Sequence, residues 1–160
     1  MWINRIRQFY RAIFDRIDAN DLEFVKKFLP LECEQKIFFA QHPADQKHAV
    51  NVARMIEEKF HGDRFEIRCG LLHDVGRVNG DLNIFGKVFC VLAENFPALI
   101  MTSSQKNMFE VYQNHASIGA EKLRAIGLNS EADIISKHHD PENKNDSPAL
   151  KKLRASDESN

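Results

Sequence analysis

The sequence has few cysteines, almost no net charge and no long apolar run, and each shortage excludes a class of protein. Its three cysteines, Cys33, Cys69 and Cys90, are widely spaced in apolar surroundings, which argues against a disulfide framework and against a CxxC zinc site. A net charge of -1 indicates no nucleic-acid-binding surface. Since no apolar stretch reaches the length that spans a bilayer, we expect a soluble protein of the reducing cytoplasm.

The sequence also lacks signals for β-strands. No segment of useful length alternates apolar and polar residues, and no Asn-Gly or Asp-Gly turn joins two β-branched runs. The 160 residues suit one domain with a buried core. We therefore predict an all-α fold and a single domain over residues 1–160, in which residues 1–40 form a helical extension packed on a core of residues 41–160.

The N-terminal segment WINRIRQFYRAIFDRI is predicted to form an amphipathic helix. Its apolar residues recur every three or four positions, while its arginines lie elsewhere around the helical wheel. It has no unbroken apolar core and no small-residue cleavage site, so it does not resemble a secretory signal. A basic amphipathic helix can bind a membrane or a partner, but packing on its own domain or on a second copy in a homodimer is favoured.

Capping residues and prolines predict where the next helices begin and end. Asn20 and Asp21 are predicted to cap a helix of about ten residues, which Pro30 ends before a second helical stretch through Phe39. A helix is then expected over residues 44–60. Gly62 and Asp63 open the following helix, whose buried face ends at His73.

The C-terminal half follows the same rules. Residues 82–94 are predicted to be helical, and residues 101–106 are predicted to form a loop. His115 is expected near the start of a helix that Gly127 ends. Ser130 is predicted to cap the next helix, which carries His138, and Leu153 and Asp157 share a face of the last one.

Six polar side chains lie on, or at the tips of, the inward faces of five successive predicted helices: His48, His73, Asp74, His115, His138 and Asp157. A single histidine in such a place is usually a hydrogen-bonded core residue. Burying all six without compensation would cost several kcal/mol for each charge, and shared coordination of a divalent cation removes that cost. Nitrogen and oxygen donors without a thiolate suit one or two ions of Mn, Fe, Co, Ni or Zn.

The segment CGLLHDVGRV places two of these donors side by side. Neighbouring residues on a helix point about 100° apart, so His73 and Asp74 can reach one ion only near the end of a helix. Gly76 provides that end.

Five segments carry the ordered set H, HD, H, H, D: DQKHAVNVA, LLHDVGR, NHASIGAEKLRAIGL, ISKHHDP and LKKLRASDES. From about Asp45 to the C-terminus the chain resembles the HD superfamily of metal-dependent phosphohydrolases. The resemblance implies an orthogonal helical bundle, here with the additional N-terminal amphipathic helix. It also implies one cation site that consists of His48, His73, Asp74 and Asp157, and a second that His115 and His138 complete.

The resemblance further implies a reaction. An ester or anhydride bond of a small, nucleotide-like phosphate would be cleaved by metal-activated water, with Asp74 bridging the ions as a catalytic residue. Arg77 is expected to act in catalysis and substrate binding, because its planar guanidinium matches a phosphate. His138 is favoured as the ligand and His139 as a substrate-binding residue of the pocket.

Other functions stay open at this point. HHDPENKND lacks the GYP continuation of cyclic-dinucleotide phosphodiesterases, and HDVGR lacks the acidic pair of alarmone hydrolases, so neither specific assignment is favoured. A non-catalytic, ligand-sensing HD module is one alternative. A mixed-valent di-iron oxygenase is another, because it uses nearly the same six ligands.

Overall fold

The computed structural model describes residues 15–79 and 102–160, which form seven α-helices and one short 3₁₀ helix and contain no β-strand. The α-helices are α1 (Ala19–Phe28), α2 (Glu32–Phe39), α3 (Pro43–Glu58), α4 (Arg64–Leu72), α5 (Ser103–Ala125), α6 (Asn129–Ile135) and α7 (Pro148–Glu158). The 3₁₀ helix, Val75–Asn79, follows α4. The all-α prediction is confirmed. Most of the predicted N-terminal amphipathic helix, the predicted helix over residues 82–94 and Cys90 lie outside the described residues.

Most of the helices begin at a side chain that caps their free backbone N–H groups. Asp63 caps α4 as predicted, and Ser147 caps α7. For α1 the prediction was wrong, because the capping residue is Asp18 and not Asn20 or Asp21. Asp21 closes the capping box from inside the helix, where its side chain accepts a hydrogen bond from the Asp18 N–H.

The loop predicted over residues 101–106 is wrong for residues 103–106, which form the first turn of α5. Thr102 and Gln105 form a capping box there that starts the helix earlier than expected. His115 therefore lies in the middle of a 23-residue helix and not near its start. Gly127 ends this segment as predicted, in the left-handed conformation with φ of 84°.

Helix α6 both begins and ends earlier than predicted. Ser130 lies inside it, and the position before its first residue is Leu128, whose side chain makes no capping hydrogen bond. The helix ends at Ile135, where the next N–H groups bond three residues back instead of four: Lys137 N–H to the Ile134 carbonyl, and His138 N–H to the Ile135 carbonyl. His138 thus belongs to a tight turn after α6.

Helix α4 lies at the centre of the described bundle and contacts α1, α3, α6 and α7. One apolar core joins all seven helices, with fully buried members that include Val25, Phe38, Ile56, Leu71, Leu123, Ile135 and Leu153. Burial of this apolar surface is the main force that holds the helices together. No helix in the two described ranges is long and apolar enough to cross a bilayer.

Buried ion pairs connect α1 and α2 to the rest of the bundle. Arg68 on α4 binds Glu34 on α2 (Nη2 to Oε1, 2.6 Å) and Glu131 on α6 (Nε to Oε1, 3.1 Å). Asp21 on α1 binds Lys47 and Arg54 on α3. The division into an extension of residues 1–40 and a core of residues 41–160 stays a prediction, as does a homodimer formed through the N-terminal helix.

We expect the Asp21→Asn variant to be less stable at neutral pH. Burial alone would raise the pKa of Asp21, but the hydrogen bond and charge of Lys47 lower it below its usual value. A carboxyl with a lowered pKa stabilises the folded state above its unfolded pKa, and that stability is lost as the pH falls through the folded pKa. The free energy of unfolding should therefore drop by about 1 to 3 kcal/mol at pH 7, and the difference should shrink below about pH 4.

Urea unfolding at pH 7 and below about pH 4, followed by circular dichroism, measures this loss of stability. The matched control is Asp133→Asn, which removes an exposed ion pair with Arg124 and should change stability much less. Equal losses for the two variants would contradict a stabilising role for the buried pair.

Candidate metal centre

The HD pair lies where α4 ends. His73 occupies the position after the last residue of α4, and Asp74 follows it; both side chains are 0% exposed. His73 Nε2 lies 3.4 Å from Asp74 Oδ2 and 3.6 Å from Asp157 Oδ1. The end of the helix lets the two neighbouring side chains face one point, which agrees with the geometric expectation from the sequence.

Three histidines of the centre are held in the same way. His73, His115 and His138 each have Nδ1 close to the carbonyl oxygen three residues earlier, at 2.8, 2.6 and 2.7 Å. In a neutral imidazole such a hydrogen bond places the proton on Nδ1 and leaves the lone pair on Nε2, as in most metal-binding histidines. The Nε2 atoms of His73 and His138 are buried and have no hydrogen-bond partner. These orphaned donors fit a cation.

The donors form two groups that share one carboxylate. In the first group, one atom each of His48, His73 and Asp74 lies within 4.8 Å of the others; the same holds for a second group, with members Asp74, His115, His138 and His139. Asp157 adjoins the first group, because its Oδ1 lies 2.9 Å from His48 Nε2. The fold therefore brings together all six residues that the sequence predicted as ligands.

His139 lies in the second group as well. Its Nε2 is 2.9 Å from His115 Nε2, and its ring centroid is 3.9 Å from that of His138. On a helix, two neighbouring side chains point about 100° apart, so only one of two adjacent histidines would be expected to reach an ion. That argument does not apply here, since α6 has already ended at Ile135. His139 is more exposed than His138, and its assignment to substrate binding stays a prediction.

The electrostatics favour an ionised Asp74 and a neutral His138. Burial would raise the pKa of Asp74, but the charges of Arg77 and His73 lower it well below its usual range. Burial would lower the pKa of His73, but the charge of Asp74 raises it well above the usual value. Burial and the charge of His73 lower the pKa of His138 to about 3. His138 is thus neutral at physiological pH, which is the form that binds metals.

Two close backbone contacts set the distances between these donors. A methyl group on Gly76 would lie 1.8 Å from the His115 carbonyl oxygen, so the 3₁₀ helix can lie against α5 only with glycine there. That approach places His115 Nε2 3.3 Å from Asp74 Oδ1. Between α3 and α4, a methyl group on Gly70 would lie 2.9 Å from the Ala53 Cα, which brings His48 close to His73.

Arg154 is a positioning residue that the sequence analysis missed. Its buried guanidinium donates to the carbonyls of His138 (Nε, 3.1 Å) and Lys137 (Nη2, 2.7 Å), and it also binds Asp146. Arg154 lies one turn before Asp157 on α7, so it connects the turn of the second group to the helix of the first. An arginine on the apolar face of α7, next to Leu153, was the available signal.

We expect Gly76→Ala to weaken both the fold and metal binding. The added methyl group must displace the backbone of α5 at His115, which should cost about 1 to 3 kcal/mol of stability. Thermal unfolding and calorimetric titration with Mn²⁺ measure the two effects. Gly119→Ala is the matched control, because its methyl group would meet the Gly76 nitrogen at 3.2 Å and should perturb less. Unchanged stability and affinity in Gly76→Ala would contradict the proposed close contact.

We expect Arg154→Met to loosen the turn that carries His138 and His139. Loss of hydrogen bonds from a charged donor to two carbonyls should cost about 2 to 3 kcal/mol and should speed amide hydrogen exchange over residues 136–140. The stability and the exchange rates of Arg154→Lys should lie between those of the wild type and of Arg154→Met, since an ammonium cannot reproduce the planar fork of hydrogen-bond donors. Lys151→Met, on the exposed side of α7, serves as the control. Unchanged exchange in Arg154→Met would refute this role.

The geometry of the centre agrees with a family that the sequence comparisons identify. A family model for the HD domain matches residues 46–159, a range that contains every donor described above. No curated protein and no solved structure matches the chain. The chain belongs to the HD domain family.

Proposed function

We propose that the protein is a cytoplasmic, metal-dependent phosphohydrolase that cleaves an ester or anhydride bond of a small, nucleotide-like phosphate. Membership in the HD domain family supports the general class. The observation that carries the proposal is Asp74, a fully buried carboxylate that belongs to both donor groups. A shared carboxylate between two sets of imidazoles is suited to metal-assisted hydrolysis.

The residues of the two groups suggest how a cation would be held. His48, His73, Asp74 and Asp157 would hold an ion in the first group, and Asp74, His115, His138 and His139 are the donors of the second. Imidazole nitrogen and carboxylate oxygen favour Mn, Fe, Co, Ni or Zn over calcium. When bound, such a cation supplies a Lewis acid and lowers the pKa of a coordinated water.

The chain's own residues would bind and orient the reactants. Asp74 is ionised, so its oxygens can accept a hydrogen bond from water and orient that water toward phosphorus. Arg77 brings a positive charge to the same place, with Nη1 2.6 Å from Asp74 Oδ2, and can bind a phosphoryl oxygen. His139 lies at the exposed side of the centre, where a substrate would enter.

We expect His73→Ala and Asp74→Asn to abolish metal-dependent turnover while helical content is retained. Each removes a donor that touches the reacting groups, so the rate should fall by a factor on the order of 10³ or more. The assay measures release of phosphate or nucleotide from mononucleotides, dinucleoside polyphosphates and a simple aryl phosphodiester, with Mn²⁺ and with chelator. Circular dichroism checks the fold of each variant.

The control is His61→Asn, an exposed histidine with φ of 48° in a conformation that asparagine tolerates. It should keep the wild-type rate. A wild-type rate in Asp74→Asn would reject the proposed role of this carboxylate. If the metal-loaded wild type hydrolyses none of these substrates, a ligand-sensing module is favoured. Oxygen consumption by an iron-loaded sample with a mixed-valent paramagnetic signal would instead indicate an oxygenase.

A further inference from the structure

Arg77 contacts Asp74, the carboxylate that the two donor groups share. It follows Asp74 by one turn of the 3₁₀ helix, and its Nη1 is 2.6 Å from Asp74 Oδ2. Its Nη2 is 3.4 Å from His115 Nε2. The side chain is 20% exposed. The guanidinium therefore contacts two of the four residues that form the second group.

The two contacts differ in whether they leave a lone pair free to bind a cation. His115 Nδ1 is engaged by the Tyr112 carbonyl, so Nε2 has the single lone pair of a neutral imidazole. Arg77 donates to that lone pair, and His139 Nε2 also approaches it at 2.9 Å. A carboxylate has about four lone-pair sites, so Asp74 can bind Arg77 and a cation together. Arg77 therefore competes with a cation for His115, a donor of the second group. The first group contacts Arg77 only through the shared carboxylate of Asp74.

The charge of Arg77 acts in the same direction as its hydrogen bond to His115. A guanidinium stays protonated in proteins; burial would lower the pKa of Arg77, but the negative charges of Asp74, Asp45 and Asp157 raise it. A divalent ion among His115, His138 and His139 would lie beside this fixed positive charge. Away from bulk water, repulsion at such short range is strong.

We propose that Arg77 takes the place of a second cation in this protein. The chain then binds one divalent ion, through His48, His73, Asp74 and Asp157, while the guanidinium supplies the positive charge beside Asp74 and His115. This inference rests on the metal centre of the proposed function and specifies its stoichiometry. In the proposed reaction, Arg77 stabilises the phosphoryl oxygens that a second ion would contact.

The test is the number of Mn²⁺ ions that each chain binds. Elemental analysis after gel filtration and calorimetric titration give the count, and electron paramagnetic resonance shows whether two Mn²⁺ ions are coupled. We expect one ion for the wild type and two coupled ions for Arg77→Met, with the second site at least about tenfold tighter in the variant. Arg124→Met removes an exposed arginine of α5 and should keep one ion.

Removal of a second-group donor locates the additional ion. His115→Gln alone should keep one ion with the wild-type affinity, because the first group is intact. In the double variant Arg77→Met/His115→Gln, the count should return from two to one. Arg77→Lys keeps a positive charge and should keep one ion, which separates the effect of charge from that of side-chain shape.

Three results would overturn the inference. Two ions in the wild type would show that Arg77 does not exclude the second ion, although the metal centre itself would stand. A single ion in a folded Arg77→Met variant would show that the guanidinium does not limit the count. If Arg77→Met does not fold, the wild-type count and the His115→Gln affinity decide the question. Absence of any bound Mn²⁺ in the wild type would overturn both the inference and the proposed metal centre.

Discussion

The buried charge of Asp74 is the constraint that governs the rest of the centre. A carboxylate that is 0% exposed can remain ionised only if positive charges or hydrogen-bond donors replace the water it has lost. Arg77, His73 and His115 surround it for this reason. The same requirement makes the position attractive to a cation. Both the stability of the fold and the proposed chemistry therefore require positive charge or hydrogen-bond donors around Asp74.

Meeting that demand requires five separate segments to approach one point: α3, the end of α4, α5, the turn after α6, and α7. Glycine permits two of the approaches: Gly76 lets the 3₁₀ helix lie against α5, and Gly70 lets α4 lie against α3. Arg154 adds the third connection by binding the carbonyls of the turn that follows α6. Rigid helices and backbone contacts hold the donors in position, and hydrogen bonds between donors, such as that of His48 with Asp157, add to this.

Within the HD domain family, the chain's own residues decide how the common donor set is used. Arg77 is the residue through which this chain can differ in metal content, because it contacts both the shared carboxylate of Asp74 and His115 of the second group. A guanidinium and a second ion both offer positive charge to a phosphoryl oxygen, although the divalent ion carries more of it. They differ in what else they do, since a guanidinium binds phosphate in a planar fork but does not activate water. The choice between them therefore affects catalysis more than substrate attraction.

Local sequence was enough to establish the helical class, the capping residues Asp63 and Gly127, and the ordered set of donors, because helix periodicity, capping and residue chemistry are local properties. Other features emerged only from the packed bundle. The start of α5 before His115, the turn that lets His138 and His139 face one point, and the contacts of Arg77 and Arg154 depend on distances between segments far apart in the chain. Those distances follow from side-chain packing across the bundle, which a local pattern does not contain.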